Sequence, residues 1–303
     1  VKLNKKKPNN LIAVTGTNGK SSIANFYYQI LKINKIKASS IGTLGISGIN
    51  IKKKIFNTTF DPIKTNNYLH ILKKNKINNA ILEATSHGLK QNRLDGLKFN
   101  IGIFTNLSRD HLDYHKTYKD YLNSKLILFN KLMKKNSFII FDNDLKISSI
   151  LKKISKSKNL KTLTIGSKNS DLKVVKHKFI NFKQEVSFSL NNKIYNFSTN
   201  LIGKIQIKNL LMSILAAYKS NISLKKINKS VASIKAVPGR LEKIGKLKNK
   251  AIVILDYAHT PDALETCLKN IREQFELRKI NLVFGCGGER DKPKRKIMGR
   301  IAS

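Results

Sequence analysis

Residues 11–26 read LIAVTGTNGKSSIANF. An apolar run breaks at Gly16-Thr17-Asn18-Gly19, and helical spacing resumes through Lys20, Ser21 and Ser22. A strand that turns through glycine into a helix narrows the choice of architecture, because the helix must bury its apolar stripe against a sheet. Such a turn aims backbone N–H groups and the positive end of the helix at one point, which suits an anion. Lys20 is then placed to reach the outer phosphates of a nucleotide such as ATP, and Ser21 to ligate Mg²⁺. The usual Gly-x₄-Gly-Lys-Ser/Thr loop would want glycine at Val14, so an ordinary glycine-rich turn stands as the alternative.

Strand-like runs at 11–15, 79–84 and 101–106 alternate with helical spacing at 20–32, 62–74 and 117–133. This is the rhythm of an α/β fold with a mainly parallel sheet flanked by helices. Residues 173–199 alternate at period two around Asn191-Asn192 and predict a small antiparallel hairpin packed on that sheet. Helices are expected at 205–219 and 223–234. The Pro-Gly break in AVPGRLEKIG then sets a boundary near Ala236, dividing a central ATP-binding domain (1–235) from the start of a C-terminal one (236–303). A strand at 251–256, a helix at 261–275, a strand at 280–285 and a helix from about 294 read as the beginning of a Rossmann-like unit. So short a unit, and Val1 in place of Met, lead us to expect a truncated chain.

No apolar run reaches the roughly 18 residues a membrane span requires, and the start lacks a signal-peptide layout. A cytoplasmic monomer is the simplest reading, and Cys267 and Cys286 read as free structural thiols. The 59 Lys plus Arg against 18 Asp plus Glu give a net charge of +41, which raises the question of nucleic acid. The lysines, however, are spread among Ile and Asn throughout, with no basic tail, so loose attraction at low salt is expected and specific recognition is not. Carboxylates on this background are informative. Glu83, Asp110, Asp113, Glu242, Asp256, Asp262, Glu289 and Asp291 all fall in short motif-like stretches.

Glu83 closes the predicted strand 79–84, where an open parallel sheet faces its ligand crevice, and a carboxylate there can hold a hard cation. The next strand leads to Asp110, His111, Asp113 and His115, with His111 the candidate for a further metal ligand. Lys125 has Tyr121, Leu122, Leu128 and Phe129 at helical neighbour positions, so it lies on an apolar face. Two readings stay open: a buried amine with a lowered pKa, or a lysine whose head escapes to water.

GTNGKSS, TSHGLKQNR, FTNLSRDHLDYH, GRLEKI, DYAHTPDALE and FGCGGERDKPKR occur in this order. Together they resemble the Mur ligases of peptidoglycan synthesis, and among them the members that add a diamino acid. The resemblance implies ATP- and Mg²⁺-dependent amide formation. The terminal carboxylate of UDP-MurNAc-L-Ala-D-Glu becomes an acyl phosphate and is attacked by an amine, with meso-diaminopimelate preferred over L-lysine. Folylpolyglutamate synthase is the alternative within the same superfamily, and a basic nucleic-acid-binding protein the alternative of another class. By resemblance, Gly16, Thr17, Asn18, Gly19, Lys20, Ser21, Ser22, Asn209, Asp256 and His259 meet the nucleotide. Thr58, Thr59, Thr85, Gln91, Arg93, Arg240 and Arg290 would contact the substrates or the hinge. Ser21, Glu83, His111 and a CO₂ adduct (carbamate) of Lys125 would serve the metal, with Lys20, His111 and Lys125 as catalytic residues. The chain departs from the pattern at Phe141-Asp142-Asn143-Asp144 and at Gln206, which stands where Asn is commoner. The family's N-terminal UDP-binding domain and its Asp-Asn-Pro-Arg motif are not in the sequence.

Overall fold

The computed structural model describes residues 6–50, 57–108, 110–286 and 293–303. The first half contains β1 (Asn10–Thr15), α1 (Lys20–Ile33), β2 (Ala38–Gly42), β3 (Gly45–Ile46), α2 (Pro62–Lys74), β4 (Asn79–Glu83), α3 (Ser86–Lys90), β5 (Phe99–Phe104), α4 (Leu112–His115) and α5 (Tyr118–Lys131). There follow β6 (Met133–Asp142), α6 (Ser148–Ser157), β7 (Lys161–Gly166), β8 (Leu172–Ile180), β9 (Lys183–Leu190), β10 (Lys193–Thr199), α7 (Lys204–Lys219) and α8 (Leu224–Val231). The C-terminal segment holds β11 (Glu242–Lys246), β12 (Ile252–Leu255), α9 (Pro261–Gln274) and α10 (Pro293–Ala302). Local chemistry sets several starts. Asp61 caps α2 ahead of Pro62, Thr117 caps α5, and Thr260 caps α9 ahead of Pro261, each supplying an oxygen to a first-turn N–H.

One sheet runs in the order β10-β9-β8-β7-β6-β5-β1-β4-β2-β3. From β2 to β8 neighbouring strands are parallel, and β3, β9 and β10 are antiparallel additions at the two edges. Alternate residues of β1 serve opposite faces, as period two demands. Ile12 and Val14 join the core beneath α1, α7 and α8, whereas Leu11 and Ala13 join the core with α2, α3, α5 and α6. The chain leaves β1 toward β2 on one side and returns from β4 to β5 on the other. A crevice therefore opens at the carboxyl ends of β1, β4 and β5.

Two expectations about strands need correction. Residues 172–199 do not pack on the sheet but extend it in plane, because the free edge of β7 pairs with β8 at Ile165↔Leu172, satisfying backbone groups that an open edge would leave unpaired. The turn at Asn191-Asn192 is as expected, with both residues at positive φ (52° and 59°). Residues 280–285 form no strand among the described residues. β12 takes its ladder from β11, antiparallel, and Val283 stands 97% exposed without a strand beside it. Cys267 and Cys286 are free. No helix among the described residues is long and apolar enough to cross a membrane.

Candidate active site

The turn between β1 and α1 is braced from β5. Thr17 N donates to Asn106 O at 3.0 Å and Asn18 N to Asn106 Oδ1 at 2.9 Å, while Thr105 Oγ1 donates to Asn18 O at 2.6 Å. Tyr121 Oη donates to Thr17 Oγ1 at 3.1 Å. Gly19, at the N-cap of α1, has no side chain to occupy the first-turn N–H groups of Lys20, Ser21 and Ser22, which leaves them for an anion. A Cβ on Gly19 would lie 2.5 Å from Asn209 Oδ1, so α7 delivers Asn209 directly onto the turn. Lys20 Nζ donates to Gly16 O at 3.0 Å and Thr17 O at 2.8 Å. Desolvation lowers its pKa, with the charges of Glu83 and Asp110 opposing and Arg240 reinforcing.

Glu83 is 3% exposed and sits at the tip of β4, beside β1 in the register Val14↔Glu83. Ser21 Oγ donates to its Oε2 at 3.0 Å, and Thr43 donates to it through N (2.9 Å) and Oγ1 (3.2 Å). These bonded partners are neutral. Its oxygens together with the Ser21 hydroxyl are hard donors of the kind Mg²⁺ prefers. The pair fits the ion. His111, by contrast, is exposed, pairs with Asp110 at 3.4 Å and meets the His87 ring at 4.8 Å. Among the described residues no trio of His, Cys, Asp or Glu is gathered for a metal.

The threonines expected to hold substrate gather beside Glu83, on its backbone carbonyl and on Thr43, not on its carboxylate. Thr58 Oγ1 lies 3.1 Å from Thr43 Oγ1, and Thr59 Oγ1 donates to Glu83 O at 2.8 Å and lies 3.0 Å from Thr85 Oγ1. Arg93 Nη1 donates to Thr59 O at 2.8 Å, and Thr85 caps α3. Gln91 stands apart, donating to Tyr114 Oη at 3.2 Å.

Lys125 is 1% exposed, so the escaping-lysine reading is excluded. Its Nζ donates to Gly16 O at 2.8 Å and lies 4.1 Å from the centre of the Tyr121 ring. Loss of water holds its pKa well below the usual lysine value, the positive charge of Lys20 adds to this, and Asp110 opposes. Next to it in sequence, Ser124 reaches His115 Nδ1 at 3.3 Å, and the same imidazole meets Ser86 Oγ through Nε2 at 3.0 Å. Burial lowers the pKa of His115, against the pull of Asp120.

In the C-terminal segment, Asp256 accepts from Leu241 N and Ala258 N at 2.8 and 2.9 Å. Burial raises its pKa, while those bonds and Arg240 pull it down. The Arg240 guanidinium lies 4.7 Å from the centre of the Tyr257 ring. His259 is exposed, its Nδ1 3.0 Å from Tyr257 O. Gln206 Nε2 donates to Arg240 O, and Asp142, 2% exposed, pairs with Lys208 at 2.6 Å. Both departures from the family pattern thus serve to hold α7. Arg290, like Glu289 and Asp291, lies outside the described residues. Thr43, Thr105, Asn106 and Tyr121 were not singled out as site residues from the sequence. Thr105 and Asn106 lie within FTNLSRDHLDYH, and that motif was the available signal.

A mainly parallel sheet, a glycine turn into a helix and a hydroxyl–carboxylate pair at the strand ends define an α/β protein with a turn of the phosphate-loop type. Residues 14–217 match the Mur ligase middle domain, and residues 239–303 match the Mur ligase, glutamate ligase domain. The chain belongs to the Mur ligase family. A relative from Rickettsia bellii, named UDP-N-acetylmuramoyl-L-alanyl-D-glutamate--2,6-diaminopimelate ligase, is 40% identical over 98% of this chain and 63% of its own length. A solved structure of a ligase of the same name is 30% identical with a TM-score of 0.77, covering 98% of this chain and 60% of that one. A Mycobacterium tuberculosis folylpolyglutamate synthase, complexed with ADP and AMPPCP, shares the fold at 14% identity and a TM-score of 0.71, over 89% of this chain and 67% of that one. The chain spans a little over three fifths of the length of the curated relatives it matches.

Proposed function

We propose that the chain carries the core of an ATP-dependent ligase that adds a diamino acid to UDP-MurNAc-L-Ala-D-Glu in peptidoglycan synthesis. The named relatives favour meso-diaminopimelate over L-lysine, and the 40% identity to them against 14% to a folylpolyglutamate synthase favours a muramoyl acceptor over a folate. The observation that carries the reading is the convergence of Lys20, Ser21, Glu83 and Thr59 at the carboxyl ends of β1 and β4.

In this reading the α1 N–H groups, Lys20 and Thr17 to Ser22 hold the triphosphate, with Asn209, Asp256 and His259 around the nucleotide. Ser21 and Glu83 hold Mg²⁺, with His111 as a further ligand, and Lys125 contributes as its carbamate. Bound Mg²⁺-ATP supplies the phosphoryl group that turns a poor electrophile, the acceptor carboxylate, into an acyl phosphate with a leaving group. Thr58, Thr59, Thr85, Gln91 and Arg93 position that carboxylate, and Arg290 contacts the incoming amine. Arg240 marks the hinge, with the domain boundary at Ala236. A cytoplasmic monomer without a specific nucleic-acid partner completes the proposal; the spread of lysines along the sequence supports the last point.

ADP release with ATP and each acceptor, measured on the full-length protein, tests it. Release with UDP-MurNAc-L-Ala-D-Glu and meso-diaminopimelate is expected, and release with a folate but none with the muramoyl peptide would overturn it.

A further inference from the structure

Helix α7 begins at Gly203, which has no side chain to offer its first turn, yet that turn is not left bare. Ile205 N donates to Asn270 Oδ1 at 3.0 Å, and Gly203 N donates to Gln274 Oε1 at 2.8 Å. Both acceptors belong to α9, more than 60 residues on in the sequence. Asn270 and Gln274 are 9% and 7% exposed. Their amide nitrogens are also engaged, Asn270 Nδ2 with Thr266 O and Gln274 Nε2 with Phe182 O, so both orientations are fixed by two-sided bonding. Ile202, Leu241 and Phe275 bury a small core at this contact, with Ile205, Ile254 and Ile271 against it.

We infer that Asn270 and Gln274 form a cap supplied by one helix to another, and that the cap positions the nucleotide site. The inference rests on the nucleotide reading above. The physical path is short. The capped turn of α7 is followed one turn later by Asn209, which stands against Gly19 in the phosphate turn. Gln206, between them, donates to Arg240 O at the hinge and accepts from Asn209 Nδ2 at 3.1 Å. At its other end α9 follows directly on Asp256 to His259. The helix is therefore pinned at its C-terminal end on α7 while its N-terminal end carries the second set of nucleotide candidates. The cap fixes both sets in one frame. Asn270 and Gln274 touch no reacting atom in this account and are positioning residues.

Aspartate keeps the oxygen acceptor for Ile205 N and gains at the positive end of α7, but it loses the Nδ2 bond to Thr266 O. Asn270→Asp should therefore keep the cap on Ile205 N that Asn270→Leu loses. The test measures AMPPNP affinity with Mg²⁺ by calorimetry, and amide hydrogen exchange at Gly203 and Ile205, in the wild-type chain, Asn270→Leu, Gln274→Leu and Asn270→Asp. The leucine variants should weaken AMPPNP binding by roughly tenfold and speed exchange at the uncapped amide, on the scale expected for a lost N-cap. Asn270→Asp should fall less than Asn270→Leu, to roughly threefold below wild type, because the cap survives and only the bond to Thr266 O is lost. Gln274→Leu provides an independent reading should Asn270→Leu fail to fold. Leucine variants that bind as the wild type does, or an aspartate variant that falls as far as the leucine one, would overturn the inference alone. A wild-type chain that binds no AMPPNP would overturn the nucleotide reading, and the inference with it.

Discussion

The Ser21 hydroxyl donates to the Glu83 carboxylate at 3.0 Å, joining the first turn of α1 to the tip of β4. Thr43 donates twice to the same carboxylate, so its position is held from three directions by neutral groups. Glu83→Gln keeps the shape and one acceptor while removing the charge. We expect a cooperatively folded protein whose Mg²⁺-dependent AMPPNP affinity falls roughly 10- to 100-fold, the range for losing a group that holds or orients a metal. Calorimetric titrations at graded Mg²⁺ check this. An unchanged Mg²⁺ dependence would remove Glu83 from the metal site.

Gly42 is the reason Glu83 can lie where it does. A Cβ there would stand 2.1 Å from Glu83 Oε1 and 2.5 Å from its Cδ, closer than any real contact. Gly42→Ala must push the carboxylate off Ser21, at a stability cost of about 1–3 kcal/mol for overpacking. The same loss of Mg²⁺ dependence should follow. Because both changes act on one group, the double variant with Glu83→Gln should be no worse than the more severe single one. Additive losses in a double-mutant cycle would show that Gly42 acts elsewhere.

How much of this could be read in advance varies with the range of the interaction. The β1–α1 unit, α2 and α5 were legible because apolar periodicity is local and Asp61-Pro62, Thr117 and Thr260-Pro261 mark helix starts. Glu83 was legible as the end of a strand. The brace of Asn106 on the phosphate turn was not, because it spans 88 residues, nor was Thr43, which meets Glu83 from 40 residues away. Periodicity put Lys125 on an apolar face but left its head undecided. What decides is the Gly16 carbonyl and the Tyr121 ring, both supplied by tertiary packing or by the helix's own turn. Residues 280–285 have a strand's composition, but a strand exists only with a partner, and β12 pairs with β11 instead.

Lys125 also predicts a pH dependence of stability. Its folded pKa is depressed, so the unfolded chain binds more protons between the folded value and the ordinary lysine value of about 10.4. Stability therefore rises with pH through that window, and burying the amine destabilises the fold below it. Lys125→Met removes the penalty, and the Gly16 carbonyl keeps its bond from Lys20. In bicarbonate-free buffer we expect the methionine variant to melt higher than wild type near pH 7, with the gap closing toward pH 10. Thermal melts across that range check the sign, and a gap that widens with pH would contradict the assignment.

The proposed carbamate draws on the same depressed pKa, because only neutral nitrogen offers a lone pair to CO₂. A C–N bond forms, one proton leaves, and the side chain changes from a neutral amine to a carboxylate-like anion. The adduct keeps one N–H, which can still donate to Gly16 O, and places a carboxylate-like group beyond the nitrogen. With ¹³C-labelled bicarbonate, wild type should show a carbamate carbonyl signal that Lys125→Ala lacks. The alanine variant should lose roughly 10²-fold or more in ligase rate, in keeping with a group that stabilises transition-state charge. Added acetate or propionate should restore part of that rate, since a free carboxylate can enter the space left by the side chain. Full activity in Lys125→Ala without any added acid would show that the reaction needs no carboxylate at this position.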